Sequence, residues 1–580
     1  MIIDPYFAFI RDPGRPFAPQ LSAAFEDLSR QGLAVLVDTP RLVFLGRPSS
    51  PHLIPNGGNA IIWGRLFDRR SASFDVSGHD PELHAPAERF VTRFWGGYLA
   101  LRACDDAVEV VRDPSAMVPA YAAQADGIEI LTSTPAALVS MGLVSPTIDF
   151  TILTQALAFR DLRPARTALR GISEVPPGTA LRLGQGASAT RQIWSPWCFT
   201  RPELELVDRA EAARAVREAV LQATRSWGRT CARPIVELSG GLDSSIVTAS
   251  LAQAGAAPTC ATFVPLPGDS DERSYARAVA THHGLELEEL DLAVAAVDIS
   301  RSDSAALPWP CARSFAQALD RPLQRLAGAI GADMFFSGGG GDNVFCHLQS
   351  ALPIVDVIRR HGLGRHAAHT TMDVAEIADI TFWEAARSAF GRRFERDRLL
   401  PKPRTNRFLA RAALADLPWP VGNPWLEAVP ASLPGKRRHV WALLSTLNHM
   451  EGFGRQAIGP ICSPLLAQPV VETCLRIPTW LWFDRGENRA IAREAFRDLL
   501  PRAVIERRTK AAFDSLGARV IRSNSAALRG MLLDGLLVRE GIADASRIAD
   551  ALAQAMPDGE AVADLLALAD VEAWARAWQC

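Results

Sequence analysis

The 580-residue chain has no excess of charge of either sign: 62 Lys and Arg stand against 64 Asp and Glu, a formal net charge of -2. That argues against a nucleic-acid binder, which needs a basic surface excess. Long hydrophobic runs are missing as well. None approaches the ~18 apolar residues that a membrane-spanning helix needs. The opening MIIDPYFAFIRDP lacks a basic n-region, and Asp4 and Pro5 interrupt its apolar stretch, so it does not read as a signal peptide. The expectation is a cytoplasmic protein without a membrane span. Nine cysteines form an odd set with no CxxC pair. Reduced, mostly buried thiols are therefore expected rather than disulfides or a zinc site. Internal repeats and low-complexity segments are absent too.

What is present divides near residue 200. The first stretch is rich in short β-branched or aromatic runs, such as AIIWGRLF, YLALRA, VEVVRD and IEILTS, followed by VPPGTALRL. The segment IWSPWCFTRPEL, with its prolines and tryptophans, marks the boundary. Beyond it the pattern changes. Asp208 and Glu211 have capping-box spacing, and Val216, Val220, Ala223 and Trp227 share one helical face. Strand and helix then alternate: PIVEL, SSIVTASLAQAG, ATFVPL, DERSYARAVATHHG, LELEELD and, further on, ADMFFSG. This predicts a parallel sheet with helices on both faces. From about 350 onward the chain reads as mostly helical. Two domains are expected, 1–200 and 205–580.

Three stretches suggest chemistry. SGGLDSS, at 239–245, follows a strand and opens a helix, where α/β proteins bind anions. Gly240 and Gly241 allow close backbone approach, and Ser239, Ser244 and Ser245 offer hydroxyls to phosphate oxygens. Asp243 would repel phosphate unless it holds Mg²⁺ against it. A capped glycine turn would explain a bare SGG, but not this whole pattern. There is no Walker A signature. SGGGGDNVFC, at 337–346, again follows a strand, and Asp342 is a candidate second Mg²⁺ ligand. Four glycines alone fit a flexible turn equally well. RRTKAAF, at 507–513, reads either as a solvated helix end or as the source of a cation, Lys510, for the phosphates.

Together these stretches resemble the asparagine synthetase superfamily. SGGLDSS is similar to its pyrophosphate loop, and SGGGGDNVF to its second Asp-bearing loop. SPLLAQPVVETCLRIP, at 463–478, is similar to its PFLD segment, and GENRAIAREAFRDLLPRAVIERRTKAAF, at 486–513, to its carboxyl-terminal lysine segment. FWGGYLALRACDDAVEVVRDPSAMVPAYAA with VPPGTALRL resembles the amidotransferase half. The resemblance implies an α+β N-terminal domain like the Ntn hydrolases, in the form of a degenerate class II glutaminase. An α/β PP-loop ATP pyrophosphatase domain with a helical carboxyl-terminal region would follow. It implies ATP and Mg²⁺ as cofactors. Ser239, Gly240, Gly241, Asp243, Ser244 and Ser245 would hold pyrophosphate, with Asp243 and Asp342 on the metal. Leu238, Val264, Ser337 and Gly338 would lie along ATP, and Lys510 would stabilise the adenylate, with Asp243 and Lys510 as the catalytic pair.

The departures narrow the function. A working glutaminase half has cysteine directly after the initiator methionine, whose thiolate attacks glutamine. Here that residue is Ile2, and the first cysteine is Cys104. Gly339 and Asn343 replace two family glutamates, and Cys462 sits near the place of a family arginine. The expectation is amide formation with an amine already on the substrate. The wording is most similar to lasso-peptide cyclases, which adenylate an Asp or Glu side chain of a precursor peptide and close a macrolactam with its N-terminal amine. The partners implied are that core peptide, a leader peptidase and a leader-recognition protein. β-Lactam synthetases, ammonia-dependent asparagine synthesis and a non-catalytic peptide scaffold are the alternatives. Glu451 and Asp514 are positional candidates for the base. Trp419, Trp425, Trp480 and Trp482 either grip peptide or fill core, and His282 with His283 is not expected to bind metal.

Overall fold

The computed structural model describes residues 4–14, 17–70, 76–160, 162–184, 188–393, 405–420, 422–427, 429–430, 432–508, 514–554 and 558–579. The amino-terminal part holds two six-stranded antiparallel sheets. One is centred on Phe7–Ile10, which pairs with Leu42–Gly46 and Ile128–Thr132. The other runs from Ala189–Gln192 through Thr179–Gly184, Ala107–Arg112, Phe94–Ala103 and Ala60–Asp68 to His52–Leu53. Strand alternation decides the layers. Tyr6, Ala8 and Ile10 join Trp63, Leu99 and Val110 in the core between the sheets. Phe7 and Phe9 point the other way, onto the helices Pro19–Arg30 and Phe150–Ala158. On the outer face of the second sheet, Ile62 and Tyr98 meet Phe90 of the helix Ala87–Arg93. The result is helix, sheet, sheet, helix.

Two 3-10 turns, Pro196–Phe199 and Pro202–Leu204, connect to the second part. Trp194 Nε1 donates to Glu472 and Trp197 Nε1 to the Trp425 carbonyl, both at 2.7 Å, so the connection is pinned down. Helix α1 (Arg209–Gly228) starts where Asp208 accepts from Glu211 N at 2.8 Å, the expected cap. Its expected apolar face, Val216, Val220, Ala223 and Trp227, is buried.

A five-stranded sheet follows: β1 (Pro234–Glu237), β2 (Thr259–Val264), β3 (Leu287–Asp291), β4 (Met334–Phe336) and β5 (Ile461–Cys462). All pairings are parallel, in the order β3-β2-β1-β4-β5. Helices α2 (Leu242–Gln253) and α3 (Arg273–His283) follow β1 and β2, and α4 (Gln317–Ile330) precedes β4. Gly284 ends α3 in the left-handed conformation. Val236 and Phe336 pack with α1, α2 and α3, while Ile235 and Phe335 pack with Leu323 and Ala327 of α4. Helices therefore cover both faces, as parallel sheets require.

The two parts share core. Phe67 meets Trp227 edge-on at 5.1 Å, and Arg69 pairs with Glu472 at 2.7 Å. The eight described cysteines are free thiols. Among the described residues no helix is long and apolar enough to cross a membrane.

Candidate active site

The strand order reverses between β1 and β4. In an open parallel sheet such a switch point opens a crevice at the carboxyl ends of the strands. SGGLDSS leaves β1 there, and SGGGGDN leaves β4. In the first loop, Ser239 Oγ and Ser244 Oγ lie 3.1 Å apart, and Gly241 N donates to Ser239 Oγ at 3.3 Å. This hydroxyl cluster sits on the amino end of α2, where backbone N–H groups lack helical partners. Gly240 has φ +74, and a Cβ there would lie 2.7 Å from Ala276 N of α3. Glycine is needed because α3 packs directly under the loop.

The second loop is pressed against the first. A Cβ on Gly338 would meet Ser244 N at 2.5 Å, and one on Gly341 would meet Asp243 Cβ at 2.5 Å. Gly340 has φ +83 and lies against Leu466. Gly339 differs: its nearest neighbours would be the Ser337 and Ser463 hydroxyls, at 3.4 and 3.5 Å. Three of the four glycines thus serve close packing rather than flexibility. They let the short helix α5 (Gly341–Val344) bring Asp342 beside Asp243.

One cation already bridges that pair. Arg489 Nη1 lies 3.0 Å from Asp243 Oδ2 and 2.7 Å from Asp342 Oδ1. His347 Nδ1 approaches Asp342 Oδ1 at 3.1 Å. Arg489 has φ +53 and is mostly buried. Arg493, one helical turn on, donates to the carbonyls of Asn488, Ile505 and Arg507. Burial, together with the nearby Arg489 charge, lowers the Arg493 pKa. Arg507 is buried over the Tyr275 ring at 4.4 Å, paired with Glu272 and donating to the Gly240 carbonyl at 3.2 Å. Burial lowers its pKa too. Glu237, at the end of β1, pairs with Arg455 at 2.7 Å; burial nonetheless raises its carboxyl.

These groups line a cleft of about 470 Å³. Of the residues expected there, Leu238, Ser239, Gly241, Asp243, Ser244, Ser337, Gly338 and Asp342 border it. Three do not. Ser245 is buried in α2, with its Oγ unpartnered. Gly240 turns toward α3. Val264 gives way to its neighbours Phe263 and Pro265 as wall. For Ser245 the reason is geometric: helical rotation carries it inward. Lys510 lies outside the described residues, as do Ile2 and the Asp514 side chain. Sequence reasoning passed over Arg489 and Arg493. Their spacing of four, within the very stretch that carried the resemblance, was the available signal.

Glu451 is not in this cleft. Its carboxylate accepts from Tyr121 at 2.7 Å and pairs with Arg163 at 3.2 Å, tying the two parts together. Burial opposes its charge, but Arg163 and Arg112 outweigh burial and lower its pKa. Trp425, Trp480 and Trp482 are buried, the core alternative. Trp419 is 41% exposed and stacks edge-on with Phe159. His283 Nε2 contacts the Leu499 carbonyl at 2.9 Å. Among the described residues, no group of three or more His, Cys, Asp or Glu is placed to hold a metal. An ion at Asp243 and Asp342 would complete its shell with phosphate oxygens and water, as Mg²⁺ does in phosphate sites.

Comparison with known proteins agrees with this geometry. The asparagine synthase family model matches residues 215–447 and 461–576, which include both loops, the strands beneath them and Arg489. The chain is also 28% identical over 386 residues to the carboxyethyl-arginine beta-lactam-synthase of Streptomyces clavuligerus, covering 61% of this chain and 69% of that one. Two solved structures cover 49% of this chain, each with a TM-score of 0.22. One is an allosteric regulatory enzyme of purine biosynthesis, at 9% identity over 80% of its length. The other is a glutamine phosphoribosylpyrophosphate amidotransferase from B. subtilis, at 10% identity over 65% of its length. Scores that low carry no argument about this chain. The family match covers more than half of the chain, and its two loops close one crevice at the switch point: the protein belongs to the asparagine synthase family of ATP-dependent, amide-forming enzymes.

Proposed function

We propose that this enzyme is a peptide macrolactam synthetase of the lasso-cyclase type. The carrying observation is the split character of the cleft. Its phosphate side keeps the hydroxyl cluster, the helix terminus and the carboxylate pair. Its second loop has Gly339 and Asn343 where the family's small-amino-acid enzymes carry acids. Asn343 is tied to the Thr446 hydroxyl. No carboxylate remains at those two positions to hold the ammonium of a small amino acid. With Ile2 in the place of the glutaminase cysteine, the amine would arrive on the substrate itself.

In this reading Ser239, Ser244 and the amino end of α2 orient the ATP phosphates. Leu238, Ser337 and Gly338 border the nucleotide. Asp243 and Asp342 are suited to Mg²⁺, since a single guanidinium nitrogen already reaches both. Bound there, Mg²⁺ would neutralise charge developing on the departing pyrophosphate. The Asp or Glu carboxylate of the peptide attacks the α-phosphorus, and pyrophosphate leaves. The N-terminal amine then attacks the acyl carbon, AMP leaves, and the amine gives up its proton. Arg489 and Arg507, which line the cleft, would supply positive charge for both steps, as Lys510 would in the family's pattern. Proximity in a folded peptide supplies much of the rate. We read the amino-terminal double sheet as a degenerate Ntn-type glutaminase domain. A leader peptidase and a leader-recognition protein would deliver the core peptide.

The test is mass spectrometry of a core peptide incubated with the enzyme, its leader peptidase, ATP and Mg²⁺. A product lighter by one water, absent with Asp243→Ala, supports the reading. Carboxypeptidase resistance would then establish threading. A second reading, small-molecule β-lactam formation, draws on the Streptomyces clavuligerus relative. AMP release without peptide, given a small amino-acid derivative, would favour it. A requirement for free ammonia would favour asparagine-type synthesis.

A further inference from the structure

A second cavity, of about 550 Å³, lies beside the nucleotide cleft. Helix α6 (Pro434–Leu447) carries Thr446, the partner of Asn343, in its last turn. The next two residues, Asn448 and His449, line the second cavity. Its other walls come from the loop before α4, from α7 (Asp514–Ser523) and α8 (Gly559–Trp578), and from residues 156–163 of the amino-terminal part.

Leu162, Phe315, Val562 and Leu566 make these walls largely apolar. Three arginines interrupt them: Arg160, Arg163 and Arg313. Arg160 is anchored on Asp564 at 2.8 Å and Arg163 on Glu174 at 2.8 Å, so their guanidiniums are held in place before any ligand arrives. A single carboxylate, Asp570, faces them, accepting from Ser314 N at 2.9 Å. Two polar nitrogens here have no hydrogen-bond partner. Trp309 is 4% exposed and its Nε1 is unpaired; His449 Nδ1 is unpaired as well. Leaving a buried donor such as the Trp309 indole N–H unsatisfied costs about 1–3 kcal/mol, so it calls for an acceptor. Burial, and then the charges of Arg313, Arg163 and Arg160, push the His449 pKa down to about 3. The lining itself carries three guanidiniums against one carboxylate.

We propose that this second cavity binds the acyl-donor segment of the substrate: an apolar stretch of peptide whose carboxylate is drawn in by Arg160, Arg313 and the Trp309 N–H. The inference rests on the cyclase reading for its peptide and on the cavity itself for its chemistry. The positive wall would at the same time keep a protonated amine away.

The probes are two blocked tetrapeptides, Ac-Phe-Glu-Leu-Gly-NH2 and its Gln counterpart, titrated into the full chain without ATP. The readout is the Trp309 indole N–H resonance, assigned with Trp309→Phe. The Glu peptide is expected to shift it and to bind about ten-fold tighter than the Gln peptide, the worth of a charge-assisted hydrogen bond. Arg313→Ala should erase that preference. Ala567→Phe, which fills the cavity without touching its charges, should abolish both shifts. Both variants should still bind a fluorescent ATP analogue, which shows that they fold. Equal affinity for the two peptides, or a Trp309 resonance that does not move, overturns the proposal even if a core peptide is cyclised. Selective binding of the Glu peptide without any cyclised product instead overturns the cyclase reading and leaves the carboxylate site standing.

Discussion

Two glycine-rich loops meet in the nucleotide cleft, and they use glycine for different reasons. In SGGLDSS the requirement falls on Gly240, which is left-handed and packed against α3. In SGGGGDN it falls on Gly338 and Gly341, which carry one loop into contact with the other, and on Gly340, which is left-handed and packed against Leu466. The first loop is shaped by the helix under it. The second is shaped by the first. A glycine run that resembles a hinge is here an interface, and the Asp243–Asp342 pairing depends on it.

The carboxylates themselves should give the largest effect. Asp243→Asn or Asp342→Asn is expected to lower ATP–pyrophosphate exchange by about 10²–10³-fold, the loss typical of a transition-state charge contact. Next come the interface glycines. Gly338→Ala and Gly341→Ala should each cost on the order of 10²-fold in the same assay, because loop positions must shift by roughly an ångström. Gly339→Ala, one residue away, should stay within about two-fold, since its neighbours are two hydroxyls at ordinary contact distance. Equal losses at 338, 339 and 341 would mean that the run acts as a hinge after all.

Arg489 sharpens the comparison further. Its guanidinium stands where both loops converge. Arg489→Gln should raise Mn²⁺ affinity in the absence of nucleotide by about three- to ten-fold, read by electron paramagnetic resonance of free Mn²⁺. Unchanged affinity would mean that the arginine does not compete for the pair. The smallest effect belongs to Ser245, which the first loop's pattern groups with Ser244 but which does not border the cleft. Ser245→Ala removes an unpartnered buried hydroxyl, so exchange should be unchanged and stability equal or higher by about 1 kcal/mol. A large loss of exchange would place Ser245 back among the phosphate ligands.

Much of this was legible from residue order alone. The strand-to-helix alternation after residue 208, the Asp208 cap, the Gly284 stop and the two loops at strand ends all follow from local chemistry, which periodicity and capping record directly. The opening FAFI was legible only as an apolar stretch. That it is a central strand, paired on both sides, depends on partners 32 and more residues away.

The chain by itself determined the family, the class of sheet, and the residue types that meet phosphate, because motif spacing and hydrophobic period are properties of neighbours in sequence. Only the tertiary structure decided that Ser245 turns inward, that Glu451 braces two halves, and that Arg489 spans two aspartates. Only it placed an arginine-bearing cavity beside the cleft. The last three depend on contacts between residues hundreds of positions apart, such as Asp243 with Arg489 and Arg160 with Asp564. Helix rotation and packing create such contacts, and no local pattern encodes them.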